Sequence, residues 1–580
     1  MNRQVFCKAF LTLLAFAGLD HSDCLAQWEC RGQVQLEQPG QGALRLFTVP
    51  FRSPENGRFQ SPSKPQIFQA ATDDGGLLAD ANGHFVVTVE EQNVALFGYQ
   101  DKNGNGQWDP QAFESFGWFS EEAAGRPARL TDKSTGKISF TLKAARAPLT
   151  KQLEEGGAVR VPHGSLRLVN GYPVLSVSGD AQQRGLAHGQ LLAEAIIDFF
   201  RFYILEDKFG SAKNYEEGFA KFLHSHFNYP PEYVTECEAV IQGMKRSGIS
   251  LFVSELGRDF SVTDLYAING YIETRAMRSS CTQFAAWGQR TETTDVAGGM
   301  ITGRNMDGEV DIRKVTVSHF LLTAVEPELP GQKRFVSMMW PGFVATISGM
   351  NEDGFYTMEN AGLTGPGPVV SGLVPFSWTM REALAKLGAD ATASDVQQLV
   401  DSFDNQAGGS CGPGCITLFA TPYHGQDQPA FILEGDRFGD AQRFAEQVEP
   451  RVPQALAASN HPLLYGVDES RPGKVFDKTP SFSSLWRYEA GSRKLEAWWR
   501  AQRKIGTAEM RDLLQTVAHG TTEYSIITRP NQREFDVAVA SMKAEPWDAP
   551  YRQWTTFQME EVFEQEDQQP AATDAVTTRQ

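Results

Sequence analysis

Three shortages frame this 580-residue chain. Basic residues are the first: 53 Lys and Arg face 71 Asp and Glu, a net charge of −18. Such a surface repels phosphate backbones, so nucleic acid is excluded as a partner. Long apolar runs are the second. Past the N-terminus no stretch approaches the roughly 18 residues a membrane helix needs, so no span is expected. Cysteine and histidine are the third, at 7 and 10 residues, with no paired spacing that would complete a zinc site. The length itself permits several domains and a large core.

The opening "MNRQVFCKAFLTLLAFAGLDHSDCLAQWEC" has Arg3 and Lys8, an apolar segment from Ala9 to Leu19, and a small-x-small pattern at Cys24-Leu25-Ala26. It reads as a signal peptide over 1–26, which predicts a secreted or periplasmic protein. Cleavage there leaves Cys30, Cys237, Cys281, Cys411 and Cys415. Exported chains pair their cysteines. Cys411 and Cys415, in the turn-rich "GGSCGPGC", could bridge; the alternative is a metal site short of ligands. An odd total leaves one thiol over, and Cys281 is the candidate.

Residues 27–147 carry five short, partly alternating segments between Gly, Asn, Pro and Asp turns, the pattern of a small β-sandwich. Within them, "DKNGNGQWD" sets Asp101, Asn103, Asn105 and Asp109 at positions 1, 3, 5 and 9 of a calcium loop, with Gly106 at the sharp turn. Position 12 is Ala112 rather than glutamate, and Glu114 comes two places late. A structural calcium ion is one expectation; an Asn/Gly hairpin tip is the other. From "KQLEEGGAVR" a linker leads into residues 165–280, mainly α after an opening strand pair on an Asn-Gly turn. Residues 281–564 turn to long strands, with helices at "TMREALAKLG", "ASDVQQLVDSF" and "TAEMRDLLQTV". The polar tail 565–580 is expected to be disordered.

The stretch "RSSCTQFAAWG" places Cys281 at the head of an apolar strand, with no histidine within thirty residues. A second strand, "GGMITGRNMD", follows a polar turn. Folding the two back as a hairpin brings Cys281 beside Arg304 and Asp307. A neighbouring cation favours the thiolate, the nucleophilic form. With no histidine motif at hand, the base could be the nucleophile's own α-amine, whose pKa of about 7.7–8.0 suits proton shuttling. That requires the Ser280–Cys281 bond to be cut by the cysteine itself through an N-to-S acyl shift.

"CTQFAAWG" followed by "GRNMD" resembles the N-terminal-nucleophile hydrolases of the penicillin acyltransferase and conjugated bile-salt hydrolase group. "ISGMNEDGFYTMENAG", "AASNHPL", "SSLWRYEAGSR" and "TTEYSIITRPNQREFDVAVA" resemble later segments of that group in order, and "VLSVSGDAQQRGLAHGQLLAEAI" resembles the acyltransferase pro-segment. The resemblance spans about residues 165–550 and implies an α+β fold with a four-layer αββα core behind the N-terminal sandwich. It implies Cys281 as nucleophile, Asp307 holding its amine, Arg304 beside the thiolate, Asn360 and Asn460 as oxyanion donors, and Arg487 completing the charge network. It further implies cleavage between Ser280 and Cys281, α and β chains that stay associated, a small-molecule amide or N-acyl substrate, and no cofactor for catalysis. Alternative readings are a phospholipase-B-like or ceramidase-like lipid hydrolase, and a non-enzymatic, calcium-dependent binding protein. His188 reads as a packing residue and His461 as a neighbour of the site. Trp340 and Phe343 could line an acyl pocket or simply fill core.

Overall fold

The computed structural model of the chain describes residues 28–563, except 56–57, 74–75, 90–92, 132–137, 145, 147–152, 154–156, 274–280, 309–314, 363–369, 413, 468–479 and 542–547. The segment expected to be a signal peptide, Ser280 and the polar tail therefore lie outside the described residues. The described chain divides into two compact units, the first ending at Lys143 and the second holding everything from Ala144 onward, with two short stretches from 109–114 and 120–126.

In the first unit, strand Trp28–Leu36 pairs with His84–Val89 and Ile138–Leu142, while Ala43–Pro50 and Val94–Asp101 anchor a four-stranded sheet. Strand His84–Val89 alternates exposed and buried residues strictly, the period of a half-solvated sheet. Phe85 and Val87 from the one sheet and Leu46 and Leu96 from the other share one apolar core. The segment "KPQIFQAATD", for which the strand pattern makes no provision, is a helix, Lys64–Asp73. Its Ile67 and Ala71, one helical turn apart, are buried.

The second unit is built on two large sheets. One has ten strands, in the order Ala158–Val161, Gly164–Val169, Tyr172–Gly179, Leu321–Pro327, Phe335–Met339, Ser348–Asn351, Tyr356–Ala361, Cys415–Ala420, Ala430–Asp436 and Gly439–Arg443. Within it, Tyr172–Gly179 runs parallel to Leu321–Pro327, a strand from before residue 281 bonded to one after it. The end of the expected linker is thus strand, over Ala158–Val161. The other sheet is antiparallel, in the order Ala455–Ala458, Thr282–Ala286, Ile301–Asp307, Thr522–Arg529, Glu534–Val539 and Thr555–Gln558.

Period-two alternation decides what each face of the six-stranded sheet meets. Phe284, Ala286, Ile301 and Ile527 pack with Leu495 of helix Phe482–Arg500 and with Met510 and Leu514 of helix Thr507–Thr516. Ala285, Met306 and Ile526 point the other way, into the main core shared with the ten-stranded sheet. Gln283 crosses that interface, its Nε2 donating to Ile416 O at 2.8 Å. Such faces buried on both sides explain the near-continuous apolar texture of these strands. The three helices expected after residue 281 are present, as Phe376–Lys386, Ala393–Asp401 and Thr507–Thr516. The helix Phe482–Arg500 is an addition; apart from the buried Arg487, its charged residues face solvent and conceal its apolar stripe.

Helix Ala181–Asp198 begins on Asp180, whose carboxylate accepts the Gln183 N–H while Gln183 caps back. It presses against helix Pro231–Arg246 through glycines: a Cβ on Gly189 would stand 1.9 Å from Val240 O, and one on Gly243 2.2 Å from Leu186 O. Gly189→Ala is therefore expected to destabilise the protein by about 2 kcal/mol or more, because backbone rather than a flexible side chain must move. Urea unfolding checks this, and an unchanged midpoint would show that the helices can separate freely.

Cys411 and Cys415 form a disulfide. The arithmetic of one leftover thiol does not hold among the described residues, where Cys30, Cys237 and Cys281 are all free and all buried. Burial drives the Cys237 thiol well above its usual pKa and the Cys30 thiol up to about 11, so both behave as small apolar residues.

Candidate functional site

Cys281 sits immediately before strand Thr282–Ala286, which pairs with Ile301–Asp307 so that Thr282 faces Asn305 and Gln283 faces Arg304. Continuing that register by one residue sets Cys281 across from Met306, and Met306 Sδ lies 3.4 Å from Cys281 Sγ. The hairpin expectation thus agrees with the strand pairing. Arg304 and Cys281 both point toward the ten-stranded sheet. Arg304 Nη2 is 3.8 Å from Sγ and donates to Glu359 O at 2.6 Å, while Nη1 donates to Ile347 O and Ser348 Oγ. Three acceptors, two in neighbouring strands and Ile347 just before the first of them, fix this buried guanidinium. Its burial opposes the charge, but Tyr524, Cys281 and Tyr356 outweigh that and hold its pKa above the ordinary arginine value.

Asp307 follows a register shift between Met306 and Asp307, where the strand's pairing with Thr522–Arg529 is interrupted. Such irregularities re-aim a side chain. The Asp307 carboxylate is buried; Thr522 Oγ1 donates to Oδ1, and Oδ2 lies 3.9 Å from Arg487 Nη1 and 3.2 Å from His519 Nε2.

Arg487, in the second turn of helix Phe482–Arg500, reaches the sheet edge. Its Nη1 donates to Cys281 O and Thr282 Oγ1, both at 2.6 Å, and its Nη2 donates to Asn460 Oδ1 at 2.8 Å. Burial pulls its pKa below the usual arginine value, against the attraction of Asp307 and Cys281. Asn360, near the end of strand Tyr356–Ala361, donates through Nδ2 to Ser459 O at 3.0 Å and to Cys281 O at 3.4 Å. Asn460 donates through Nδ2 to Ala361 O at 2.8 Å. All six residues singled out from the sequence, Cys281, Arg304, Asp307, Asn360, Asn460 and Arg487, are brought into one buried cluster.

Sequence reasoning missed four members. Thr282 receives Arg487, Tyr524 lies beneath the Arg304 guanidinium at 6.0 Å, Ser348 takes Arg304, and His519 touches Asp307. Thr282 and Tyr524 stand inside quoted motifs; His519, in "VAHGTTEYS", carries no spacing signal of its own. His461 stands behind Asn460: its Nδ1 is 2.7 Å from Ser484 Oγ, which accepts the Asn460 N–H at 2.9 Å. Burial lowers its pKa to about 4. His188 is buried, accepts the Gly342 N–H at 3.0 Å, and is likewise pushed down to about 4 by burial.

A small cavity lined by Ile272, Met306, Ile347, Glu359 and Ala361 adjoins Cys281 and Arg304. Trp340 and Phe343 do not line it; Trp340 stacks on Phe199 at 5.5 Å and donates to Thr316 O, so this pair belongs to the core. In the "DKNGNGQWD" loop, Asp101 Oδ2 accepts from Arg45 Nε at 2.8 Å and from Gly106 N at 2.9 Å. Asn103 and Asn105 each accept the backbone N–H two residues on. Asp109 falls in the other unit. Among the described residues no group of three or more His, Cys, Asp and Glu is placed to hold a metal ion. No described helix is long and apolar enough to cross a membrane.

No family model matches the chain, and no curated protein does. Solved structures similar to it include a Caenorhabditis elegans N-acylethanolamine-hydrolyzing acid amidase ortholog, at 12% identity and TM-score 0.30 over 48% of this chain and 99% of that one. A mutant conjugated bile acid hydrolase from Clostridium perfringens gives 12% and 0.31 over 48% and 92%. Penicillin V acylase from Agrobacterium tumefaciens gives 13% and 0.29 over 48% and 91%. These three stand in the group that the sequence motifs resemble. At such TM-scores the likeness carries no weight beyond that, and the chemistry has to come from the cluster at Cys281.

Proposed function

We propose that this chain is an exported, self-processing cysteine hydrolase with an αββα core, which cuts its own Ser280–Cys281 bond and then opens small-molecule amides through an acyl-thioester. The observation that carries the reading is the convergence of Arg304, Asp307, Asn360, Asn460 and Arg487 on a buried cysteine at the start of a strand. A structural cysteine needs none of them. Burying two arginines and an aspartate costs several kcal/mol in desolvation, and a plain core would dispense with them.

In maturation, Cys281 Sγ attacks the Ser280 carbonyl carbon, the C–N bond breaks, and the thiol proton passes to the departing nitrogen, which becomes the α-amine. Water then hydrolyses the Ser280 thioester, leaving a carboxylate, a free thiol and the Cys281 α-amine. In turnover that amine takes the thiol proton as sulfur attacks the substrate carbonyl. Asn460 has two amide protons and gives one to Ala361 O; the second would meet the oxyanion. A preorganised donor of this kind is worth about 10²–10³ in rate. The protonated amine next gives its proton to the leaving amine. Water, or less readily an amine acceptor, releases the acyl group. Asp307 balances the ammonium, and Arg304 the thiolate. The reaction needs no cofactor, and its two chains would stay joined through the ten-stranded sheet, to which both contribute.

Intact mass of the purified wild type tests this. Two chains that part between Ser280 and Cys281 are expected, with the acyl group of an amide substrate appearing as a mass adduct on the Cys281 chain after an acid quench. A wild type that stays whole and takes up no acyl group removes the α-amine, and the mechanism with it.

A further inference from the structure

We infer that His519 is a positioning residue for the Asp307 carboxylate and, through it, for the charge felt by the Cys281 α-amine, an inference that rests on the function proposed above. Its Nε2 stands 3.2 Å from Asp307 Oδ2. On its other side Thr521 Oγ1 lies 3.2 Å from Nδ1. With the hydroxyl donating to Nδ1 the proton stands on Nε2, within ion-pair reach of Asp307 Oδ2 though off the line of a hydrogen bond. Trp486 closes one wall of the imidazole, edge to face at 6.3 Å.

The segment is built to hold this geometry. His519 and Thr522 lie three residues apart and both touch Asp307. Between them, the Gly520 and Thr522 N–H groups donate to the two oxygens of Asp548, at 2.7 and 2.9 Å. Burial raises the Asp548 pKa, and those two N–H bonds work against it. The charged groups facing the pair are Arg487 from helix Phe482–Arg500 and Asp548 from the turn before Ala549–Tyr551. Asp307 and Arg487 are fully buried, whereas 17% of the His519 side chain is exposed. His519 is thus the member of this trio that is in part open to water, although its Nε2 is buried against Asp307.

The consequence for the base has a definite sign. An unscreened Asp307 charge favours the α-ammonium and keeps the base protonated. A proton on His519 offsets that charge and frees the amine at lower pH. His519→Gln keeps a polar N–H group beside Asp307 and cannot become a cation; His519→Leu loses both.

The test compares wild type, His519→Gln and His519→Leu by intact mass, then by kcat/KM for a fluorogenic N-acyl aminocoumarin across pH. The Gln variant is expected to lose about threefold at its plateau, with the acid limb moved up by about half a pH unit or more. The Leu variant is expected to lose about thirtyfold at the plateau. A Gln profile that superimposes on wild type overturns the inference, as does a Gln variant inactive at every pH, which would make the imidazole a chemical participant. Should the Leu variant fail to fold, the Gln profile decides alone. An uncut, inactive wild type overturns the proposed function and this inference together; a cut, active wild type beside an unchanged Gln profile overturns the inference only.

Discussion

Cys281→Ala is expected to remain a single chain and to lose about 10⁴-fold or more in kcat/KM on amide substrates, the scale seen when a nucleophile is removed from a unit that acts together. The loss is chemical, because alanine fits the buried site and leaves the Arg304 anchors on Ile347, Ser348 and Glu359 in place. Its thermal midpoint should accordingly stay within a few degrees of an uncut reference. Cys281→Ser separates the two stages of the mechanism: a hydroxyl can still attack Ser280 slowly, so partial cleavage with little turnover is expected. An alanine variant cut at the same bond would assign the cut to another protease and leave Cys281 without its amine-generating role.

The largest expected effect on stability lies away from the thiol. Glu236, in helix Pro231–Arg246, accepts Arg184 Nη2 at 2.9 Å and Arg381 Nη2 at 2.8 Å, with all three side chains at least 96% buried. Arg184 belongs to helix Ala181–Asp198 and Arg381 to helix Phe376–Lys386. Glu236→Leu leaves two guanidinium groups in the core without their shared counter-charge, so a loss of about 3–5 kcal/mol is expected in urea unfolding. Glu236→Gln, equal in shape, should lose nearly as much, since charge rather than packing is removed. The pH dependence has a fixed sign. Burial alone would raise the Glu236 pKa, but Arg381 and Arg184 outweigh it and hold it below the usual value. Its contribution is therefore complete above the unfolded value of about 4.3 and fades as pH falls through the lower folded one. The gap between wild type and Glu236→Gln should close in acid; a gap below about 1 kcal/mol at neutral pH would mean the network adds little.

What could be read from the sequence follows from distance along the chain. Cys281, Arg304 and Asp307 belong to one hairpin, so a turn and a register sufficed to bring them together. The strand pairs at 348–361 and 522–539 fall on segments that stood out by motif resemblance. Asn360, Asn460 and Arg487 came through motif resemblance, because they reach Cys281 from across a sheet interface and from a helix that alternation does not reveal. Ser348, Tyr524 and His519 stayed silent: each is an ordinary core or loop residue until two sheets meet. The helix Lys64–Asp73 was missed because its ten residues interrupt a run of strand signals.

The parallel pairing of Tyr172–Gly179 with Leu321–Pro327 bears on how such a protein ages. As one chain, it finds that register by an intramolecular search at high effective concentration. With the 280–281 bond opened as proposed, the same sheet would be a complex of two polypeptides, and unfolding would become dissociation. The melting temperature of the cut form would then rise with protein concentration, while that of an uncuttable form would not. Refolding would become second order and would fall behind aggregation. Maturation, on this view, is a one-way passage: the precursor knows how to fold, and the product only how to remain folded.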